Sequence, residues 1–461
     1  MISKLFGDKK FYRTLISLAL PIMIQNGITN FVNMLDNIMI GRIGTAEMTG
    51  VAVSNQLIFV FNLCIFGAVS GAGIFCAQFY GNGDHNGVRQ VFRYKLIFSA
   101  VLAVLGIGVF LAAGDPLISL YLKGEGDPAA AAASLARAGE YVRIMLIGLV
   151  PYAIAQCYSS TLREIGKPML PMVAGLIAVF VNLIGNYILI FGKFGAPALG
   201  VRGAAIATVA SRFVELAIVV VWTRLKAKEN PFIIGAYRSL YVPWDLVKRV
   251  TAKGLPLMLN EGLWSAGIAM LNQGYSERGL NVVAATNISQ TFWNVFAIAF
   301  MAVGAAIGII LGQLLGAGKE QQAKEQSYKL ITSSVLISAL MALLFGICAE
   351  WIPQAYNTTP EIRHMATRLM QIGALAMPID AFAHATYFTM RSGGKTLVTF
   401  LFDSAFVWAV NVPTVLLLTR CTDLSVLWIF AVIQFSALIK CVIGFILVKK
   451  GIWIKNIISN R

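Results

Sequence analysis

A succession of largely uncharged, apolar stretches, most of them long enough to cross a bilayer as one helix, limits what this chain can become. In lipid every backbone polar group must be satisfied internally, so such stretches fold as a bundle of spanning helices. They are residues 14–41, 48–83, 96–114, 144–162, 168–192 and 203–223, then one that starts near Gly254 and carries Glu261, followed by 279–318, 330–349, 369–390, 396–419 and 424–448. The chain therefore reads as an all-α polytopic membrane protein of twelve transmembrane helices. Composition agrees, because 58% of the residues are hydrophobic and only 13% charged, against about a quarter charged in soluble domains.

The first stretch carries an unusual charge. Thr14 to Leu35 has none, and then Asp36 follows in apolar surroundings. A carboxylate at membrane depth costs several kcal/mol and persists where it meets a cavity, an ion or a partner. Pro21 and Gly27 precede it in the same helix, and each weakens a helix interior. A bendable helix with one buried acid points to coupling between an ion and a motion.

The net charge of +16 does not indicate nucleic acid. The basic residues sit in short connections, where they set orientation in the membrane. Lys4, Lys9, Lys10 and Arg13; Arg89, Arg93 and Lys95; Arg163 and Lys167; Arg224, Lys226 and Lys228; Lys319, Lys324 and Lys329; Arg391 and Lys395; and Lys449, Lys450 and Lys455 alternate along the chain onto one side. That side is read as the cytoplasm, with both termini in it. The other side has Asp115, Glu125, Asp127 and Glu361. No small-residue cleavage site follows the first lysines, so no removable signal peptide is expected. The six cysteines lack CxxC spacing, so free thiols and no metal site are expected.

The two halves repeat. Leu20-Pro21 recurs as Leu255-Pro256, and the same offset of 235 carries Gln78, Gly81 and Gly83 to Gln313, Gly316 and Gly318. LREIGK at 162–167 recurs as MRSGGK at 390–395. The expected layout is a first six-helix lobe at 1–223, a cytoplasmic linker at 224–253, and a second six-helix lobe at 254–461. Each half has an even number of spans, so the lobes are related by a pseudo-two-fold axis along the membrane normal, as in transporters with a cavity between lobes. No HExxH, no cluster of His or Cys ligands and no nucleophile arrangement marks an enzyme.

The LALPIM opening, the Asp36-bearing helix end leading into Gly41-Arg42-Ile43-Gly44, the repeated Gln-x-x-Gly-x-Gly, the Leu-Arg-x-x-Gly-Lys turn and the six-plus-six repeat together resemble the multidrug and toxic compound extrusion (MATE) family, in its bacterial NorM-like branch. The resemblance covers nearly the whole chain. It implies a secondary antiporter of the bacterial cytoplasmic (inner) membrane. Such a protein expels organic cations and amphipathic drugs in exchange for sodium or protons by alternating access. No cofactor beyond the coupling ion is implied, and the expected protein is a monomer among membrane lipids. The alternative is a lipid-linked oligosaccharide or lipid flippase of the same superfamily. Its usual extra spans and cationic cavity do not match twelve spans and buried acids.

The family's cation site maps onto Asp36, Asn182, Asn186 and Thr208. Spacing of four puts the two Asn on one helix face, and their amide oxygens suit a transported sodium ion. Asn186 stands where the family motif has a second acid. In the second half Asp380, eleven residues before Arg391, matches the family's helix 10 acid. Glu261 resembles its helix 7 acid, displaced by about one turn. Asp403 has no family counterpart and is expected to pair with Lys440. Arg212 and Glu215 are expected to satisfy each other. His384 lies four after Asp380 and reads as a buried structural histidine. Phe61, Trp264, Trp293, Met301 and Tyr387 are candidates for an inward-facing substrate surface, since aromatic faces and thioethers suit amphipathic cations.

Overall fold

The computed structural model describes residues 5–122 and 128–459. Lys4, Glu125 and Asp127, used in the charge reading, lie outside the described residues. The chain runs through twelve helical spans. They are α1 (Lys9–Gly41), α2 (Thr45–Gly81), α3 (His85–Tyr121), α4 (Pro128–Glu164), α5 (Met169–Phe191), α6 (Val201–Leu225), α7 (Trp244–Ser276), α8 (Leu280–Gly316), α9 (Glu320–Cys348), α10 (Pro360–Ser392), α11 (Thr396–Cys421) and α12 (Val426–Lys450). Ten of these helices are long and apolar enough to cross a membrane. The two others are α7 and α10, the helices that carry Glu261 and Asp380.

Several helices begin well before their uncharged runs. The helix of α4 starts at Pro128, not near Ile144, because its early charges are paired: Arg137 with Glu47 at 3.2 Å, and Glu140 with Arg202 at 3.2 Å. Helices α3, α7, α9 and α10 likewise extend through charged turns. The reading by uncharged runs located the spans and missed these polar extensions. Two spans are irregular. In α11, 401–405 and 407–411 are π-helical. In α12 the helix breaks at Ser436, whose hydroxyl donates to Ile433 O (2.6 Å) and Asn411 Oδ1 (2.9 Å).

The chain divides into two compact units. One comprises 1–23, 77–84 and 252–461; the other comprises 24–76 and 85–251. The boundary in α1 therefore falls just after Pro21. Within the first unit the ends of α2 and α8 meet through the repeated motif. A Cβ on Gly81 would lie 2.0 Å from Gln313 O, and one on Gly316 would lie 1.9 Å from Gln78 O. Only glycine permits this reciprocal approach. Gln78 is fully buried. Its amide donates to Ser392 O (3.0 Å) and Lys455 O (3.2 Å) and accepts from Ile457 N (2.8 Å). The segment after α12 thus folds back onto the unit, and its Trp453 is fully buried.

In the second unit the segment after α6 does the same. Phe232 is buried against Phe92, with ring centroids 5.2 Å apart. Arg89 donates to Phe232 O and Pro231 O, while Arg93 donates to Ala236 O, Gly235 O and Tyr241 O. Lys167 Nζ donates to Glu229 O at 2.6 Å. This unit also encloses an ion pair. Lys95 Nζ is 2.5 Å from Glu164 Oε2 and donates to Ser160 and Thr161, with the lysine side chain wholly buried.

Candidate functional site

Three helices of the second unit, α1, α5 and α6, bring Asp36, Asn182, Asn186 and Thr208 together. Asn186 Nδ2 donates to Asp36 Oδ1 at 2.7 Å. Oriented so that its oxygen accepts from Thr208 Oγ1 at 3.1 Å, the Asn182 amide turns its nitrogen to Asp36 Oδ2 at 2.9 Å. The four-residue spacing of the asparagines places both amides on the side of α5 that faces Asp36, and both are buried. Among the described residues Asn186 Oδ1 is buried without a hydrogen-bond partner, so an acceptor oxygen stands beside the carboxylate. Among the described residues no ion pair reaches Asp36; the donors bound to it are amides.

One neighbour of the site, Tyr141, has no signal in the uncharged runs. Tyr141 of α4 lies beside Asp36 and Thr208, and its hydroxyl donates to Asn55 Oδ1 of α2 at 3.1 Å. Tyr141 sits between Glu140 and Arg143, which took it out of the uncharged run. Arg212 stays within the field of Glu215, but its hydrogen bond goes elsewhere. Its Nη1 donates to Gly148 O at 3.1 Å and its guanidinium lies 4.9 Å from the Tyr152 ring centroid. Gly148 lies at the junction between the 3₁₀ turn Leu146–Gly148 and the helix that follows it.

The first unit holds the other acids. Glu261 and Asp380 are half-buried, and neither makes a hydrogen bond among the described residues. The charged groups acting on Glu261 are Arg391 and Asp403, and the one acting on Asp380 is Lys440. Asp403 pairs with Lys440 as expected, with Oδ1 3.1 Å from Nζ. His384 is wedged against Phe300 and Phe388, with centroids 5.7 and 4.9 Å away, and among the described residues its Nδ1 finds no partner.

Of the candidate substrate-surface residues, Trp264 is 39% exposed and Tyr387 is 8% exposed. Met301 and Trp293 pack on the cluster around Phe300 and Met377, and Phe61 is buried beside Gly106. Among the described residues no group of three or more His, Cys, Asp or Glu forms.

A family model described as MatE matches residues 21–188 and 258–417. The chain is 26% identical over 460 residues to a protein of Thermotoga maritima named "Probable multidrug resistance protein NorM", covering 97% of this chain and 94% of that protein. It is 28% identical over 408 residues to "Multidrug resistance protein MdtK" of Yersinia pseudotuberculosis, covering 87% and 86%. A solved structure described as "Crystal structure of MATE in complex with MaL6" superposes with a TM-score of 0.86 at 18% identity, covering 97% of both chains.

Proposed function

Because this chain belongs to the MatE family, the multidrug and toxic compound extrusion transporters, we propose that it is a secondary antiporter that exports organic cations and amphipathic drugs by alternating access. It is a multi-pass membrane transporter of the bacterial multidrug type. The relatives' names, which say multidrug resistance, support drug-like small-molecule substrates, and the cationic preference rests on the acids at Glu261 and Asp380. The observation that carries the coupling assignment is the amide cradle around Asp36.

Exchange needs a site whose occupancy alters which way the protein opens, and a ligand shifts that balance only by its differential affinity for the two states. The coupling ion, a proton or sodium, binds at Asp36. A proton needs only the carboxylate and a partner oxygen. Sodium would also take the orphan Asn186 oxygen and the Asn182 amide, both hard ligands. The division of α1 just beyond Pro21 supports a hinge there, so occupancy of Asp36 and the bend of α1 are read as one event. Glu261 and Asp380 contribute acidic character to the substrate path. Further parts of this reading are a bacterial inner-membrane location, both termini cytoplasmic, lobes at 1–223 and 254–461 with a linker between them, and a monomer among lipids.

The test uses proteoliposomes loaded with ethidium under an imposed proton or sodium gradient. Asp36→Asn is expected to reach the membrane and lose gradient-driven transport, because the amide mimics a permanently neutral acid. If sodium couples, Asn186→Ala raises the sodium needed for half-maximal transport. If protons couple, it changes little. Full gradient-driven transport by Asp36→Asn overturns the assignment.

A further inference from the structure

Lys440 of α12 occupies a box already complete without it. One wall is the Asp403 carboxylate, 3.1 Å from Nζ. Two more are the faces of Phe402 and Phe406, whose centroids lie 6.0 and 5.2 Å from Nζ. A carboxylate with aromatic faces is the chemistry that recognises ammonium and other organic cations.

The box is held in shape from behind. Asn260 of α7 is buried and donates to the other Asp403 oxygen at 3.1 Å. Its own oxygen accepts from the Ser404 hydroxyl (2.7 Å) and backbone N–H (3.3 Å). The π-helical turn at 401–405 carries Phe402 and Asp403, and π turns recur at functional positions. None of these supports depends on Lys440.

The lysine itself has donors to spare. Of its three donors, one hydrogen bond is made among the described residues, to Asp403. Lys440 is 14% and Asp403 24% exposed at the side chain, so the pair is not sealed off. A second carboxylate, Asp380, lies within the field of the lysine and makes no hydrogen bond among the described residues. The flexible four-carbon stem of lysine allows a change of partner.

We propose that Asp403, Phe402 and Phe406 form a cation-binding site in which Lys440 is a tethered competitor, and that a transported organic cation takes its place as the ammonium turns to Asp380. This rests on the reading of the protein as an organic-cation exporter. It adds the site and the device that limits affinity there, so that bound cation is also readily released. A structural ion pair would instead be needed for the box to exist.

The experiment measures binding of tetraphenylphosphonium and ethidium to purified full-length protein in lipid nanodiscs. Wild type binding either probe supports the substrate class; binding neither overturns it and this site together. Given wild-type binding, Lys440→Gln is expected to tighten the probe about tenfold, equivalent to about 1.4 kcal/mol. Lys440→Arg should leave affinity near wild type, and adding Asp403→Asn to Lys440→Gln should abolish the gain. Unchanged or weaker binding by folded Lys440→Gln, or a gain that survives Asp403→Asn, overturns the site while leaving the export reading intact. If Lys440→Gln is not recovered folded, Phe406→Ala in the otherwise native chain decides the matter. Several-fold weaker binding supports the box, and unchanged binding overturns it.

Discussion

Gly316→Ala is expected to be among the most damaging single-methyl changes in this chain. The added Cβ would sit 1.9 Å from Gln78 O, 2.5 Å from Gln78 C and 2.6 Å from its Cα. These are backbone atoms, so no side chain can swing aside. Restoring ordinary contact requires the α8 and α2 ends to part by about 1.5 Å. Gln78 is tied at the same point by hydrogen bonds of 2.8, 3.0 and 3.2 Å, and a displacement of that size breaks them. At a net contribution of about 1 kcal/mol each, three lost bonds cost about 3 kcal/mol. Strained packing adds about 1 kcal/mol more. At roughly 2–4 °C per kcal/mol for a unit of this size, the melting temperature should fall by roughly 10 °C. Gly27→Ala is the matched control, since a Cβ there meets nothing within 4 Å. A helix interior gains up to about 1 kcal/mol from that exchange, so stability should hold or rise. Both are measured by heating detergent-purified protein and following the monodisperse fraction by fluorescence size-exclusion. A Gly316→Ala protein within about 2 °C of wild type, or an equal fall for Gly27→Ala, refutes the reasoning.

Two further predictions rest on other parts of the fold. Lys95→Met or Glu164→Gln alone leaves a buried charge unpaired and should cost about 3–5 kcal/mol, whereas the double variant should recover most of that loss; additive losses in a thermal double-mutant cycle would show that the pair is not a unit. Cys421 is exposed and unpaired among the described residues at the last residue of α11, an end that the reading from charge alternation places outside the cell. An impermeant maleimide should therefore label it in intact cells, while a cysteine at Lys226 in a Cys421→Ser background stays protected, and the opposite pattern reverses the orientation.

The parts of the fold legible in the sequence were those written in period and charge. Asn182 and Asn186 share a face because helical spacing is local, whereas their meeting with Asp36 and Thr208 was an expectation from the family resemblance, which neither period nor charge supplies. Asp403 and Lys440 could be matched as opposite charges in neighbouring spans. Their aromatic walls could not, since the widened backbone of 401–411 obeys no 3.6-residue rule. Tyr141 escaped because charges flanking it end an uncharged run without ending a helix. Arg212 stays within the field of Glu215, but its hydrogen bond goes to Gly148 O, because a side chain that long reaches a backbone carbonyl as easily as a nearby acid. Phe232, next to Pro231, reads as loop; only tertiary packing makes it an anchor.

That anchor changes how the connection between the two repeats should be handled at the bench. Residues 229–238 are not a string to be shortened at will, because arginines and a lysine clasp their carbonyls. The slack lies at Ser239 and Leu240, both exposed, before the Tyr241 carbonyl that Arg93 holds and ahead of the start of α7. Exposed, weakly tethered backbone of this kind is where a break is best tolerated. A protease site or a split between two open reading frames belongs there, where the upstream fragment keeps its own plug and the downstream fragment begins on a complete helix.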